Sequence, residues 1–552
     1  MLPVFLETFG CQMNELDSEL VQGQLLALGY RFVDRPEDAS VILYNTCSVR
    51  EQAEQKAYSR IGIIGKRKAA GEELILGVIG CMAERDGIDL FRRHPQVDLM
   101  CGPGELDRLP QLIDNVRRAH AAARADQYEP LAIVDRTALA GNRSRRSTTL
   151  AAAEDNLESL DLSRAFDPES TGRKKHSAYV RITRGCNKFC TYCVVPTTRG
   201  AEIHRPPNHI VDECKRLVDA GVVEITLLGQ TVNHYRYQHG SAVTIDGREA
   251  AQVGPGLSAF RSAPTTGSRV TTFAHLLRRI HEEVPALKRL RFITSYPRDF
   301  GDDIFEVMRD SPRICRYLHA PAQSGSDRIL RLMNRGYCIG DYVDFVERGL
   351  SMLPDLCLAG DIIVGFPTES DEDFEQTCAL VKRLPFKNNF IFKYSPRPGT
   401  TAFDRLPDDV PDAVKRQRNN TLLAIQTDVS RTVHANWVGR TVEVLFDEVR
   451  SLPKPRQTQG STSHLTLNGQ TIGATAQEHT DENAPFQCVG RTTGDLIMAI
   501  ECDNLQKASI LVGNTALIKA IGASALLLHG VISGWPPASS QSKKHGIFAN
   551  KI

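Results

Sequence analysis

Gly185-Cys186-Asn187-Lys188-Phe189-Cys190-Thr191-Tyr192-Cys193 carries three thiols at two unequal gaps, C-x₃-C-x₂-C, with an aromatic residue before each of the last two cysteines. Three thiolates on one short loop hold three corners of a [4Fe–4S] cube and leave the fourth iron without a protein ligand. An open iron is a chemical site, just as catalytic zinc keeps an open position where structural zinc is closed. A zinc knot is the competing reading, but its C-x₂-C pair needs a second pair, and none lies nearby. Disulfides belong to oxidising compartments. The start Met1-Leu2-Pro3-Val4-Phe5-Leu6-Glu7 shows neither the basic nor the apolar region of a signal peptide.

Around this loop the sequence alternates strand and helix. Candidate strands are Tyr179–Thr183, Val223–Leu228, Leu290–Thr294, Arg316–His319, Leu358–Val364 and Asn389–Lys393, with amphipathic helices between them. Six such units suit an incomplete (β/α)₆ barrel, a fold that carries its chemistry at the carboxyl ends of the strands. Those ends are polar or Gly-rich here, as in Gly229-Gln230-Thr231-Val232-Asn233, Ser295-Tyr296-Pro297 and Pro321-Ala322-Gln323-Ser324-Gly325. Any one of them is an ordinary turn, but six in register describe an active face. Asn233, Gln323 and Asp361 are the candidates for lining its pocket. Cys214 and Cys378 repeat with apolar neighbours at helical spacing and read as core. The Gly/Ser/Thr-rich insertion 237–272 reads as a surface loop.

The N-terminal segment has the same rhythm. Strands Val4–Phe9, Val41–Tyr44 and Leu74–Ile79 alternate with helices from Asn14 and about Ser48, which predicts a doubly wound parallel sheet. Cys11, Cys47 and Cys81, separated by 36 and 34 positions, each fall just beyond the carboxyl end of one strand. Parallel strands bring those ends to one edge, where such sheets bind ligands, so the three thiols form a second cluster site. A buried apolar thiol is the commoner fate of a lone cysteine, and Cys101 is read that way.

The expected organisation of the 552 residues is α/β with an added β domain. Residues 1–136 form the doubly wound domain, 137–176 a charged linker, 177–431 the barrel, 432–534 a small all-β barrel interrupted at 451–487, and 535–552 a tail. A composition of 41% hydrophobic and 24% charged residues is that of an ordinary soluble protein. No apolar run reaches bilayer length, and a cytoplasmic monomer is expected. The net charge of +1 leaves nucleic-acid binding to local patches. Between Val438 and Gly534 seven Lys/Arg face nine Asp/Glu, so the electrostatic case for RNA there is weak.

An open iron of this kind binds the amino and carboxylate groups of S-adenosylmethionine, and one electron passed to the sulfonium releases a radical that attacks unactivated C–H bonds. C-x₃-C-x₂-C opening a barrel is the radical S-adenosylmethionine signature. Its setting, from Gly185 to Pro196 followed by Thr198-Arg199-Gly200, resembles the methylthiotransferase family. So do Thr8-Phe9-Gly10-Cys11-Gln12-Met13-Asn14, Asn45-Thr46-Cys47-Ser48-Val49-Arg50-Glu51 and Gly80-Cys81-Met82-Ala83. Gln323-Ser324-Gly325-Ser326-Asp327 and Met333-Asn334-Arg335-Gly336-Tyr337 are further matches. The last domain is similar to the family's TRAM module, with Leu511-Val512-Gly513 as its clearest remnant.

The residues around Cys11 and Cys47 look most like the branch that forms 2-methylthio-N6-dimethylallyladenosine in tRNA. The resemblance implies two [4Fe–4S] clusters: a radical cluster on Cys186, Cys190 and Cys193, and one for sulfur delivery on Cys11, Cys47 and Cys81. It further implies S-adenosylmethionine as methyl donor and radical source, a reducing electron donor, and a tRNA anticodon stem-loop as partner. Alternatives are a relative acting on threonylcarbamoyl-adenosine or on a ribosomal-protein aspartate, and a non-catalytic metal-bound RNA-binding scaffold. The chain departs from the family pattern at Thr197, Ala201, Thr231 and Pro321-Ala322.

Overall fold

The central strands of the first sheet, Val41–Thr46, Ile75–Gly80 and Leu99–Cys101, lie buried on both faces, the environment a parallel sheet requires. β1 (Pro3–Phe9), β2 (Arg31–Phe32), β3 (Val41–Thr46), β4 (Ile75–Gly80), β5 (Leu99–Cys101) and β6 (Thr137–Leu139) pair in the order β2-β1-β3-β4-β5-β6. Every pairing is parallel. The strand order reverses at β1, so the crevice for a ligand lies between the carboxyl ends of β1 and β3. Helix α1 (Gln12–Ala27) follows β1, α2 (Glu51–Ala69) follows β3, and α3 (Cys81–Asp86) follows β4. The computed structural model describes residues 2–48, 51–124, 137–139, 157–162, 164, 176–240, 250–254, 270–451 and 486–535. The insertion expected at 451–487 and the tail at 535–552 fall almost wholly outside the described residues.

The barrel expected from the six strand–helix units is present as two three-stranded parallel sheets. β7 (Ser177–Arg181), β10 (Glu224–Leu228) and β14 (Arg289–Phe292) form one, in the order β14-β10-β7. β15 (Tyr317–His319), β16 (Cys357–Val364) and β17 (Phe386–Lys393) form the other. Short bonds from Leu290 to Arg313 and Cys315, and from Ser295 to His319, stitch the two together. One apolar core fills the interior, including Val180, Ile225, Leu290, Leu318, Leu358 and Phe386. Cys214 belongs to it, and Cys378 packs against it half-buried, as the helical spacing predicts.

Residues 1–430 form one compact unit and 431–552 another. In the first unit α1 has two apolar faces. Val21 and Leu25 pack on the first sheet, while Met13, Leu16 and Leu20 pack on Leu228, Tyr179 and Ile293 of the barrel. The second unit is a closed barrel of β18 (Thr441–Ser451), β19 (Phe486–Thr492), β20 (Ile497–Cys502), β21 (Thr515–Ala523) and β22 (Leu528–Gly534), paired in the order β18-β19-β20-β22-β21. Closure leaves no strand edge exposed. The helix Leu505–Leu511 stands between β20 and β21 in the chain, where the alternating pattern predicts strand alone.

Two segments differ from the sequence reading. The expected linker 137–176 contributes β6 to the first sheet, and its helix Leu157–Leu162 enters a buried charge network. Asp161 accepts from Arg181 at 2.6 Å, Glu158 and Glu213 hold Arg205 at 2.8 and 2.7 Å, and Arg164 reaches Glu19 and Glu213. Charged composition made this stretch look solvated, but its partners come from distant parts of the chain. The insertion 237–272 also pairs at its described ends. β11 (Arg236–Gln238) joins β13 (Val270–Thr272), while β12 (Gln252–Val253) adds to β9 (Ile203–His204), itself paired with β8 (Thr183–Arg184). Such short non-local ladders leave little period in the sequence.

Removing one partner of a buried ion network strands the other charge. Asp161→Ala is therefore expected to destabilise the full chain by about 3 kcal/mol, read as a lower urea midpoint. A midpoint within error of the unsubstituted protein would show that the network carries no stability.

Candidate iron–sulfur centres

Cys11, Cys47 and Cys81 lie at the ends of three adjacent strands, and a buried amide lattice fixes those ends. Asn14 Nδ2 donates to Asn45 Oδ1 at 2.9 Å, Asn45 Nδ2 returns to Asn14 O at 2.8 Å, and Thr46 Oγ1 donates to Ile79 O at 2.9 Å. Gly80 must be glycine: φ is +91°, and a Cβ would meet Asn45 Oδ1 at 2.4 Å. Cys11 is the N-cap of α1. The Cys47 thiol hydrogen-bonds it and, with Arg199 and the amides of Met13 and Asn14 assisting against burial, pulls Cys11 down to about 6. Burial pushes Cys81 up, opposed by the Arg199 charge.

The three-cysteine loop is held just as firmly. Gly185 (φ +70°) lets the backbone pass the Ala201 carbonyl, which a Cβ would meet at 2.0 Å. Phe189 turns through the left-handed region at φ 51° and is exposed. Tyr192 packs against a cluster containing Met333, Phe366 and Tyr394. Lys188 pairs with Asp299 and sits 4.9 Å from the Tyr296 ring centre. Burial, then the neighbouring Cys190 thiol, pushes Cys193 up to about 12, and burial with the Cys193 charge also raises Cys186. Arg335 Nη1 donates to Cys190 Sγ at 3.4 Å. Its Nη2 is tied to Pro321 O at 3.0 Å and its Nε to Tyr337 Oη at 3.1 Å.

The segment that follows the three-cysteine loop returns to the helices that begin at Cys11 and Cys81. The turn Val195–Thr198 packs against α3. Arg199 follows that turn, pairs with Asp17 of α1 at 2.7 Å, and faces both Cys11 and Cys81.

Each trio offers three free thiols, the donor set for three corners of a [4Fe–4S] cube. Coordination would also reverse the upward shifts, because a metal deprotonates the thiol that binds it.

Of the other candidates, Gln323 and Asp361 adjoin each other, while Asn233 stands on a different turn. Asn233 donates to Tyr296 O at 2.9 Å and accepts from Tyr296 N at 2.8 Å, so its amide clips two strand-end turns together. Gln323 stands at φ 72° and donates its amide N–H to Asp361 O at 2.8 Å. Asp361 Oδ2 lies 3.4 Å from His319 Nε2. Thr231 Oγ1 donates to Glu202 Oε1 at 3.3 Å, and Thr197 Oγ1 to Val194 O at 2.8 Å. Arg199 and Arg335 were not singled out from sequence, although both lie inside motifs quoted above. Nothing local assigns either guanidinium to a sulfur.

The profile described as Uncharacterized protein family UPF0004 matches residues 3–102, and that of the Radical SAM superfamily matches residues 180–381. A tRNA-2-methylthio-N(6)-dimethylallyladenosine synthase of Rhodopirellula baltica is 42% identical over 444 residues, covering 80% of this chain and 83% of that protein. The chain belongs to the tRNA-2-methylthio-N(6)-dimethylallyladenosine synthase family. It is a radical S-adenosylmethionine enzyme. Among solved structures, the radical S-adenosylmethionine methyltransferase TsrM from Kitasatospora setae aligns with TM-score 0.45 and 11% identity, over 73% of this chain and 77% of that one. Coproporphyrinogen III oxidase from Escherichia coli aligns with TM-score 0.31 and 16% identity, over 50% and 56%.

In this synthase-family chain the Arg335 guanidinium lies against a sulfur of the three-cysteine loop. Arg335→Met is expected to lower the midpoint potential of a cluster on that loop by roughly tens of millivolts, because a buried positive charge is lost beside it. Redox titration followed by electron paramagnetic resonance checks this, and an unchanged potential at full iron content would refute it.

Proposed function

We propose that this enzyme replaces the C2 hydrogen of N6-isopentenyladenosine, beside the anticodon of tRNA, with a methylthio group. The observation that carries this reading is the approach of two thiol trios in one unit, with Arg199 reaching from the radical loop to the other set. A radical enzyme with one cluster needs no second trio, whereas delivery of sulfur gives it a purpose. The relative of known name acts on tRNA.

In this proposal Cys186, Cys190 and Cys193 hold the radical cluster, while Cys11, Cys47 and Cys81 hold the one for sulfur delivery. When bound, the clusters and S-adenosylmethionine supply hydrogen abstraction from an unactivated C–H bond, the sulfur and the methyl group. The chain's own residues orient and enclose. Lys188 and Tyr192 anchor the loop, Asn233 fixes the mouth, and Gln323 with Asp361 lines the pocket. The target base enters splayed from a single-stranded loop, the form in which RNA bases are read. The C-terminal barrel, resembling a TRAM module, contributes to RNA contact. A low-potential one-electron donor completes the system, and the enzyme works as a cytoplasmic monomer. Among the described residues no helix is long and apolar enough to cross a membrane.

Anaerobic reconstitution is expected to load about eight irons per chain, four for each cluster, with reductive cleavage of S-adenosylmethionine. One zinc and no cleavage would point instead to a binding scaffold. Cys190→Ala is expected to abolish cleavage, and Cys47→Ala to spare part of it while abolishing thiolation. Identical behaviour of the two in folded protein would refute the division of roles. Mass analysis of tRNA nucleosides from a deletion strain tests the acceptor. The 2-methylthio isopentenyl nucleoside should disappear, and its persistence would assign the enzyme to another substrate.

A further inference from the structure

Glu202, His204 and His234 form a buried trio that the thiol chemistry leaves unused. Their relative exposures are 0%, 0% and 1%. One ligand atom from each lies within 4.8 Å of the others, a closeness that no other group of three or more such residues reaches among the described residues. His234 Nδ1 is 2.5 Å from Glu202 Oε2, and His204 Nε2 is 3.2 Å from Glu202 Oε1. That His204 nitrogen is buried and makes no hydrogen bond.

The surroundings orient these groups as an outer shell orients metal ligands. His204 Nδ1 is held by the Arg236 backbone, 2.8 Å from its O, so Nε2 must face the carboxylate. The Arg236 N–H also lies 3.0 Å from that Nδ1, so the Arg236 backbone brackets the nitrogen from both sides. Thr231 Oγ1 donates to Glu202 Oε1. Gly254, on the insertion, closes the cradle: a Cβ there would meet His204 Nε2 at 2.8 Å and Glu202 Cγ at 3.0 Å. Its N–H donates to Glu202 O at 2.7 Å.

Two imidazoles and one carboxylate are a donor set for a first-row divalent ion. We infer that Glu202, His204 and His234 form a binding site for one divalent metal ion, of which zinc is the representative, separate from both thiol trios. Glu202 and His204 follow the three-cysteine loop, His234 ends the turn after β10, and Gly254 belongs to the insertion. The ion clamps these three segments beside the radical loop. Glu202 N–H already reaches Asn187 Oδ1 of that loop at 3.1 Å.

The test uses the full chain with its clusters reconstituted, exposed to one equivalent of Zn²⁺ and dialysed. Elemental analysis should find one zinc retained per chain in addition to iron. Zinc-edge X-ray absorption should show only nitrogen and oxygen neighbours at about 2.0–2.1 Å, with imidazole scattering. No retained zinc, or a sulfur shell at about 2.3 Å, overturns the inference. In the double variant His204→Ala with His234→Ala, zinc retention should fall roughly tenfold or more while iron stays. Undiminished zinc there also overturns it. If the variant fails to fold, the absorption spectrum of the unsubstituted holoenzyme decides alone.

Discussion

The buried ion pair between Arg199 and Asp17 is the contact on which the arrangement of the sulfur sets depends. Arg199 comes from the loop just past Cys193, and Asp17 from the helix that Cys11 caps. The pair therefore sets the distance between two loops that the chain separates by more than a hundred residues. The guanidinium does a second task in the same place. It is the fixed positive charge facing Cys11 and Cys81, and it favours their thiolates in a setting where burial opposes charge. One side chain thus links domain packing to the chemistry of the sulfur ligands.

Arg199 belongs to a wider buried network with Arg164, Arg181 and Arg205 and the acids Asp17, Glu19, Glu158, Asp161 and Glu213. Buried ion pairs add little net stability over apolar packing, because both charges lose their water. Their consequence is specificity. Sliding α1 along the barrel would strand several charges at once, whereas apolar contacts such as Leu16 on Leu228 tolerate small shifts. Fixed geometry between two redox sites calls for the former kind of contact.

The barrel mouth follows a similar division. Apolar side chains of the strands make the core, and polar side chains of the connecting loops bond to backbone across neighbouring turns, as Asn233 does to Tyr296 and Arg335 to Pro321. The insertion after β11 extends this rim through β12, and its Gly254 reaches the backbone of Glu202. A segment whose composition marks it as loop thereby becomes part of the wall.

Much of the outline was legible in the sequence. The cysteine loop declares itself through local spacing, and strand positions follow from short apolar runs ending in glycine or polar residues. The placement of Cys11, Cys47 and Cys81 at strand ends was enough to predict that they meet, because parallel strands share a direction. Partner identities were not legible. That Arg335 serves Cys190, that Asp161 serves Arg181, and that His204 and His234 share Glu202 depend on side chains far apart in the chain. By itself the sequence determined the spacing of the cysteines, the alternating α/β plan and the final β barrel, since these rest on periodicity and near-neighbour spacing. Only the tertiary structure decided which charges face the sulfurs and how the insertion closes over Glu202, because burial and long-range pairing set those contacts.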